Sequence, residues 1–219
     1  MDGIVEWVDA QRRVIDLVGG LDAQQGERRV PACPDWTVRD LFSHMVGLGV
    51  DVLAGDEPND HNATWTQRQV DERRGDDLPT LVEEWRGVTE PMQAYMRERG
   101  TRPLGDLVIH EQDLRGALGV SGAQDTPGLV IMRDRMLRAF AHKAAGLPPI
   151  ALVGDDWRWA STDDDPAVVV RAPDFELARA LMARRSAAQL RSWTVTGDVE
   201  PYLAAFATLG TLPSRDLAE

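Results

Sequence analysis

His44 in DLFSHMVG and the pair Asp106 and His110 in GDLVIHEQDLRGALG carry donors of the kinds that hold divalent cations. Residues four apart on a helix share a face, with Cβ atoms about 6 Å apart. The Asp106 carboxylate and the His110 imidazole can therefore turn toward one ion, with His44 supplied by a second helix. Three protein ligands leave a coordination position open, and that vacancy separates a catalytic metal from a structural one. Read singly, the same residues have plainer explanations: a histidine on a helix face is commonly a hydrogen-bonded core residue, and Asp106 with His110 can be a simple i,i+4 contact. The joint pattern favours the metal, because two of only four histidines fall in helices that a bundle would bring together, and bundle cores commonly host metals on facing helices. His61, in a loop, and His142, beside Lys143, have no such company. Two imidazoles and one carboxylate suit zinc, nickel or iron, with zinc the first expectation. Asp113, three residues past His110, is expected to orient it from behind. Glu111 and Arg115 read either as further orienting groups or as surface ion pairs of little value.

The elements that must position these residues follow from hydrophobic spacing. Residues 5–18 carry Val5, Val8, Val14, Ile15 and Val18 at helical intervals and end at Gly19 and Gly20. After a polar, irregular stretch, Asp35 or Thr37 can cap a helix with Asp40 in its first turn. Its stripe is Val38, Leu41, Phe42, Met45 and Val46, with His44 at the edge. Residues 56–77 read as a polar loop leading into a partly helical stretch. A third helix is predicted over 78–96, kinked by Pro91, a fourth over 104–118 closed by Gly119, and a fifth over 127–145. Trp36 reads as an interhelical core anchor.

At GLPPI, residues 146–150, two prolines stop the helical pattern. Beyond it lie the strand-like IALVGDDWRWAST, VVVRA and SWTVTGD, a helical DFELARALMARRS, and a last helix over 201–209. The expected fold is mainly α with an α+β appendage: a four-helix bundle over 1–147 followed by a small α+β domain over 150–219. The acidic triplet Asp163, Asp164 and Asp165 lacks the ligand spacing of a calcium loop and reads as a solvated turn.

Composition narrows the function. A formal charge of −12 argues against nucleic acid as a partner, since phosphate binding needs clustered lysine and arginine. No apolar run approaches the roughly 20 residues that span a bilayer, and the N-terminus has no leader-like pattern, so a cytoplasmic protein acting on a small molecule is expected, with nothing to fix its oligomeric state. The single cysteine, Cys33, excludes an internal disulfide and reads as a small apolar filler rather than a reactive thiol. Lys143 is the only lysine, an arginine bias typical of GC-rich genomes.

VPACPDWTVRDLFSHMVGL, with its Pro-x-Trp-Thr-Val-x-Asp-Leu-x-x-His core, resembles the N-terminal metal-binding domain of mycothiol-dependent maleylpyruvate isomerase-like proteins. DLVIHEQDLRGALG is similar to the second half of that family's site, and ARRSAAQLRSWTVTGDVEPYLAAF to the GRRS-x-x-Q and GD-x-x-x-Y-L pattern of related actinobacterial sequences. The resemblance implies a DinB-like four-helix fold, metal ligands at His44, Asp106 and His110, and mycothiol as thiol cosubstrate. It also implies a cationic role for Arg184, which could hold a substrate carboxylate; a solvated helix end is the plainer reading of Arg184 and Arg185. Two departures stand out: aspartate at 106 where the isomerase pattern has glutamate, and Ala183 where GRRS has glycine. The reaction so implied is cis–trans isomerisation of a maleylpyruvate-type enedioate. A mycothiol S-transferase acting on electrophiles, or a non-catalytic metal or small-molecule binding module, would use the same residues.

Overall fold

The computed structural model describes residues 1–59 and 62–218; His61 lies outside them. The chain divides into two compact units, Met1–Gly122 and Ala123–Ala218.

In the first unit, four helical rods pack as the spacing predicts: α1 (Gly3–Gly19), α3 (Val38–Ala54), the pair α5 (Leu78–Gly87) and α6 (Thr89–Arg99), and α7 (Leu104–Leu118). Between them lie a short α2 (Ala23–Gly26), an antiparallel ribbon of β1 (Arg29–Val30) and β2 (Cys33–Thr37), and α4 (Ala63–Glu72). The core is apolar and aromatic: Trp7, Val14, Leu41, Phe42, Leu81, Trp85, Met92 and Leu114 are all buried. Trp85 receives Phe42 edge-on at 5.3 Å and Trp7 at 6.5 Å between ring centroids, the arrangement aromatic quadrupoles favour. The helix predicted over 78–96 is two helices, and Pro91 explains where it breaks. A helical proline has no N–H for the carbonyl four residues back and its ring clashes there. That carbonyl belongs to Gly87, the last residue of α5.

Helix α3 starts as the sequence suggests. Thr37 accepts from the Asp40 backbone N–H while the Asp40 carboxylate accepts from the Thr37 N–H, a reciprocal cap. Gly55 ends it at φ 74°, and Gly119 ends α7 at φ 70°, left-handed positions that glycine adopts without penalty. Helix α4 was only partly legible, and its close packing on α3 depends on Gly47. A Cβ on Gly47 would lie 2.6 Å from Cβ of Gln69, too close for any side chain.

The second unit is α+β. Helix α8 (Pro127–Lys143) precedes β3 (Ile150–Val153), β4 (Arg158–Ala160), β5 (Val168–Arg171), α9 (Asp174–Leu181), α10 (Ala187–Ser192), β6 (Thr194–Thr196) and α11 (Leu203–Phe206). The sheet order is β4-β3-β5-β6, with β3 and β5 parallel and both edges antiparallel. All four residues of β3 are buried, as befits a central strand. The unit boundary differs from the expected one at the double proline. Helix α8 packs on α9 and α11, and Phe140 meets Phe206 at 4.6 Å and Trp159 at 5.8 Å, so the α8 apolar face is part of the second core. Asp163, Asp164 and Asp165 are exposed, as a solvated turn should be.

Candidate metal centre

His44 sits on the second turn of α3 and Asp106 and His110 on one face of α7, two helices that pack on each other. The Asp106 Oδ1 atom lies 3.5 Å from Nε2 of His44 and 3.4 Å from Nε2 of His110. One donor atom from each of the three lies within 4.8 Å of the others. For ligand bonds of about 2.05 Å in a tetrahedron, donors stand roughly 3.3 Å apart, so the donor set fits an ion with little rearrangement. The shorter carboxylate of Asp106 already reaches this distance. Both histidines are buried, while 24 % of the Asp106 side chain is exposed, which gives the cluster a wet side.

The far nitrogen of each ring is held by a different partner. Gln69 Nε2 donates to Asp51 Oδ2 at 2.7 Å, and because a carboxylate only accepts, the Gln69 Oε1 atom is the one that faces His44. His44 Nδ1, 2.7 Å from Oε1, must then donate. Asp113 Oδ2 stands 2.9 Å from His110 Nδ1 and takes its proton in the same way. With the rings neutral, hydrogen on Nδ1 of each leaves an Nε2 lone pair toward Asp106, the tautomer a metal ligand needs.

The three groups also act on one another through charge. Burial opposes charge on Asp106, but His110 and His44 outweigh it and hold the carboxyl well below the usual carboxylate range. Burial also opposes charge on His110; there the Asp106 charge, with hydrogen bonds to Asp106, Asp113 and Cys33, prevails and raises the imidazole well above its ordinary value.

Several neighbours differ from expectation. Trp36 is half-buried rather than a core anchor: its ring lies 5.0 Å from that of His44, and its Nε1 donates to Gln67 Oε1. Cys33 is not an apolar filler, since its half-buried thiol lies 3.8 Å from Asp113 Oδ2. Glu111 is neither a surface charge nor a group behind His110. It is buried and receives two 2.8 Å bonds from Arg13 and one of 3.0 Å from Arg115 Nη2, which ties α7 to α1. Gln69 and Asp51 went unread because neither their motif nor their spacing marks them; only the Gly47 contact brings them to His44.

Arg184 belongs to the second unit, in the turn between α9 and α10, where its Nη1 donates to the Met182 carbonyl at 3.2 Å. Its neighbour Arg185 is fully buried rather than at a solvated helix end. It makes a two-point pair with Glu176 and donates to the Arg184 carbonyl at 2.7 Å. Ser186 and Gln189 form a reciprocal cap on α10.

Residues 7–102 match the family model described as the mycothiol maleylpyruvate isomerase N-terminal domain. That match spans most of the first unit, which is similar to this domain family. The match includes His44 and stops short of α7, so Asp106 and His110 rest on geometry. The fold is shared with a crystal structure of a histidine-to-alanine mutant of the mycothiol-dependent maleylpyruvate isomerase, at TM-score 0.59 and 13% identity, over 91% of this chain and 94% of that one. No curated protein matches the sequence. No helix among the described residues is long and apolar enough to cross a membrane.

Proposed function

We propose that the protein is a metal- and mycothiol-dependent isomerase of the maleylpyruvate type, acting in the cytoplasm on a small enedioate, with His44, Asp106 and His110 holding a divalent ion, zinc first. The observation that carries the reading is the convergence of two Nε2 lone pairs and one carboxylate oxygen, each ring fixed from behind by a separate acceptor. The family match of the first unit adds the thiol. A bound divalent ion supplies Lewis acidity and lowers the pKa of a coordinated thiol.

The chain's residues would do the rest. Gln69 and Asp113 keep the two imidazoles in the required tautomer and orientation. Asp106, charged throughout the neutral range, offsets the charge of the ion. The resemblance offers Arg184 as a cation for a substrate carboxylate, since a guanidinium can bind two oxygens at once. The reaction itself is addition and elimination: the thiolate sulfur bonds to one alkene carbon of the cis substrate, and the π electrons move into the conjugated carbonyl. The resulting single bond rotates, and expulsion of the thiolate restores the alkene as the trans isomer.

The test uses purified protein, its metal measured by elemental analysis, mixed with mycothiol and maleylpyruvate. Isomerisation followed by absorbance, lost in His44→Ala together with the metal, is the expected result. Arg184→Ala should raise KM with metal content unchanged. Bound metal without any absorbance change overturns the substrate, and a mycothiol conjugate found by mass spectrometry replaces isomerase with S-transferase. Metal content unaffected by His44→Ala removes the site.

A further inference from the structure

The His110 ring has a second donor cluster on its other side. Cys33 on β2 and Asp113 on α7 approach Nδ1: Asp113 Oδ2 is 2.9 Å from Nδ1 and 3.8 Å from Cys33 Sγ, and one donor atom from each residue lies within 4.8 Å of the others. Around a tetrahedral ion with a sulfur ligand at about 2.3 Å, sulfur and oxygen donors stand roughly 3.6 Å apart and nitrogen and oxygen roughly 3.3 Å. Both measured pairs, sulfur with oxygen and nitrogen with oxygen, are within a few tenths of an ångström of that. Asp113 and His110 are buried, while Cys33 is half-exposed and gives an ion its way in.

We propose that Cys33, Asp113 and Nδ1 of His110 form a second cation site, selective for thiophilic divalent ions such as Cd2+, that competes with the His44–Asp106–His110 trio for their shared imidazole. Sulfur makes the difference in selectivity: two nitrogens and an oxygen suit borderline ions, whereas a thiolate favours soft ones. Competition follows from the ring. A neutral imidazole has one lone pair and one N–H, so His110 serves one ion at a time. Each tautomer has an acceptor in place for its N–H: Asp113 when Nε2 binds, and Asp106 Oδ1, 3.4 Å from Nε2, when Nδ1 binds. Binding at the second site releases the thiol proton to water as sulfur coordinates, and no oxidant or reductant is involved. The competition, though not the second site itself, rests on the metal reading proposed above.

The test loads the full chain with Co2+, read by its visible d–d absorbance, and titrates with Cd2+, read by ultraviolet thiolate-to-metal charge transfer. One Cd2+ should bind with the thiolate band and release one Co2+. Cys33→Ser should lose the band and bind Cd2+ about tenfold or more weakly, as loss of a ligating or supporting group does elsewhere, while holding Co2+ as before. His44→Ala should lose Co2+ and keep the Cd2+ band; His110→Ala should lose both. A wild-type protein without a thiolate band reduces Cys33 to a hydrogen-bond donor for Asp113 and overturns the second site. Simultaneous binding of both ions overturns the competition. Retention of Co2+ by His44→Ala overturns the first trio and leaves the second site standing.

Discussion

Each unit buries a set of polar side chains drawn from a sequence motif, and the two sets end differently. In the second unit, Arg185, Ser186 and Gln189 of ARRSAAQ are consumed by structure. Arg185 faces Glu176, Ser186 and Gln189 cap α10, and Ser186 and Gln189 also bond Asp216 and the Leu217 carbonyl. In the first unit, the bonds made by Gln69 and Asp113 stop at Nδ1 of each histidine and leave both Nε2 atoms converging on Asp106. Buried polarity alone therefore does not mark function. What sets the first unit apart is a saturated outer ring of hydrogen bonds around donors aimed at a common point.

That contrast can be broken by paired substitutions. His44→Ala is expected to abolish ion binding by the His44–Asp106–His110 trio, the largest effect, while changing the melting temperature little in the presence of a chelator. Glu176→Ala should do the reverse. Stripping a buried guanidinium of its carboxylate costs about 3–5 kcal/mol. Glu176 is itself 24 % exposed, so the lower end applies, and Tm should fall by roughly 10 °C with metal stoichiometry intact. Elemental analysis and thermal denaturation on both variants decide it; metal loss in Glu176→Ala would mean the second unit's motif supports the metal. Gln69→Leu comes next. It keeps the volume and removes the acceptor for His44 Nδ1, so metal affinity should drop by about 10–100-fold without loss of fold. An unchanged affinity in a competition titration with a chelator would make Gln69 a packing residue.

Legibility in the sequence followed how local each interaction is. Thr37 with Asp40, Gly55, Gly119 and the i,i+4 pair of Asp106 and His110 act within one helix, and their chemistry can be read from spacing. Pro91 announced a disruption, though the break falls at its distant partner Gly87. Gln69 could not be read, because its role depends on a glycine 22 positions earlier that lets α4 approach α3. Cys33 and Trp36 depart from expectation for the same reason: the two-stranded ribbon that carries them to α3 and α7 is short, contains Pro34 and has no alternating pattern. The division at Gly122 differs from the expected one because a double proline marks the end of a helix without saying which core that helix joins.

The smallest expected effect concerns the one departure inside ARRS. Ala183 has φ 57°, the left-handed region that costs a non-glycine residue about 1–2 kcal/mol, which accounts for glycine at this place in the resembling pattern. Alanine also brings compensation. The residue is 3 % exposed, and burial of a CH₂-sized group contributes about 0.8 kcal/mol. Glycine would in addition lose more backbone entropy on folding, about 0.5–1 kcal/mol. These terms nearly cancel, so Ala183→Gly should shift Tm by less than about 2 °C and leave metal binding untouched. A rise well beyond that would show the backbone strain to be uncompensated. A comparable fall would show the methyl group to be a packing element of the turn that holds Arg184 and Arg185, placing this residue with the structural half of the comparison for a reason other than its dihedral angle.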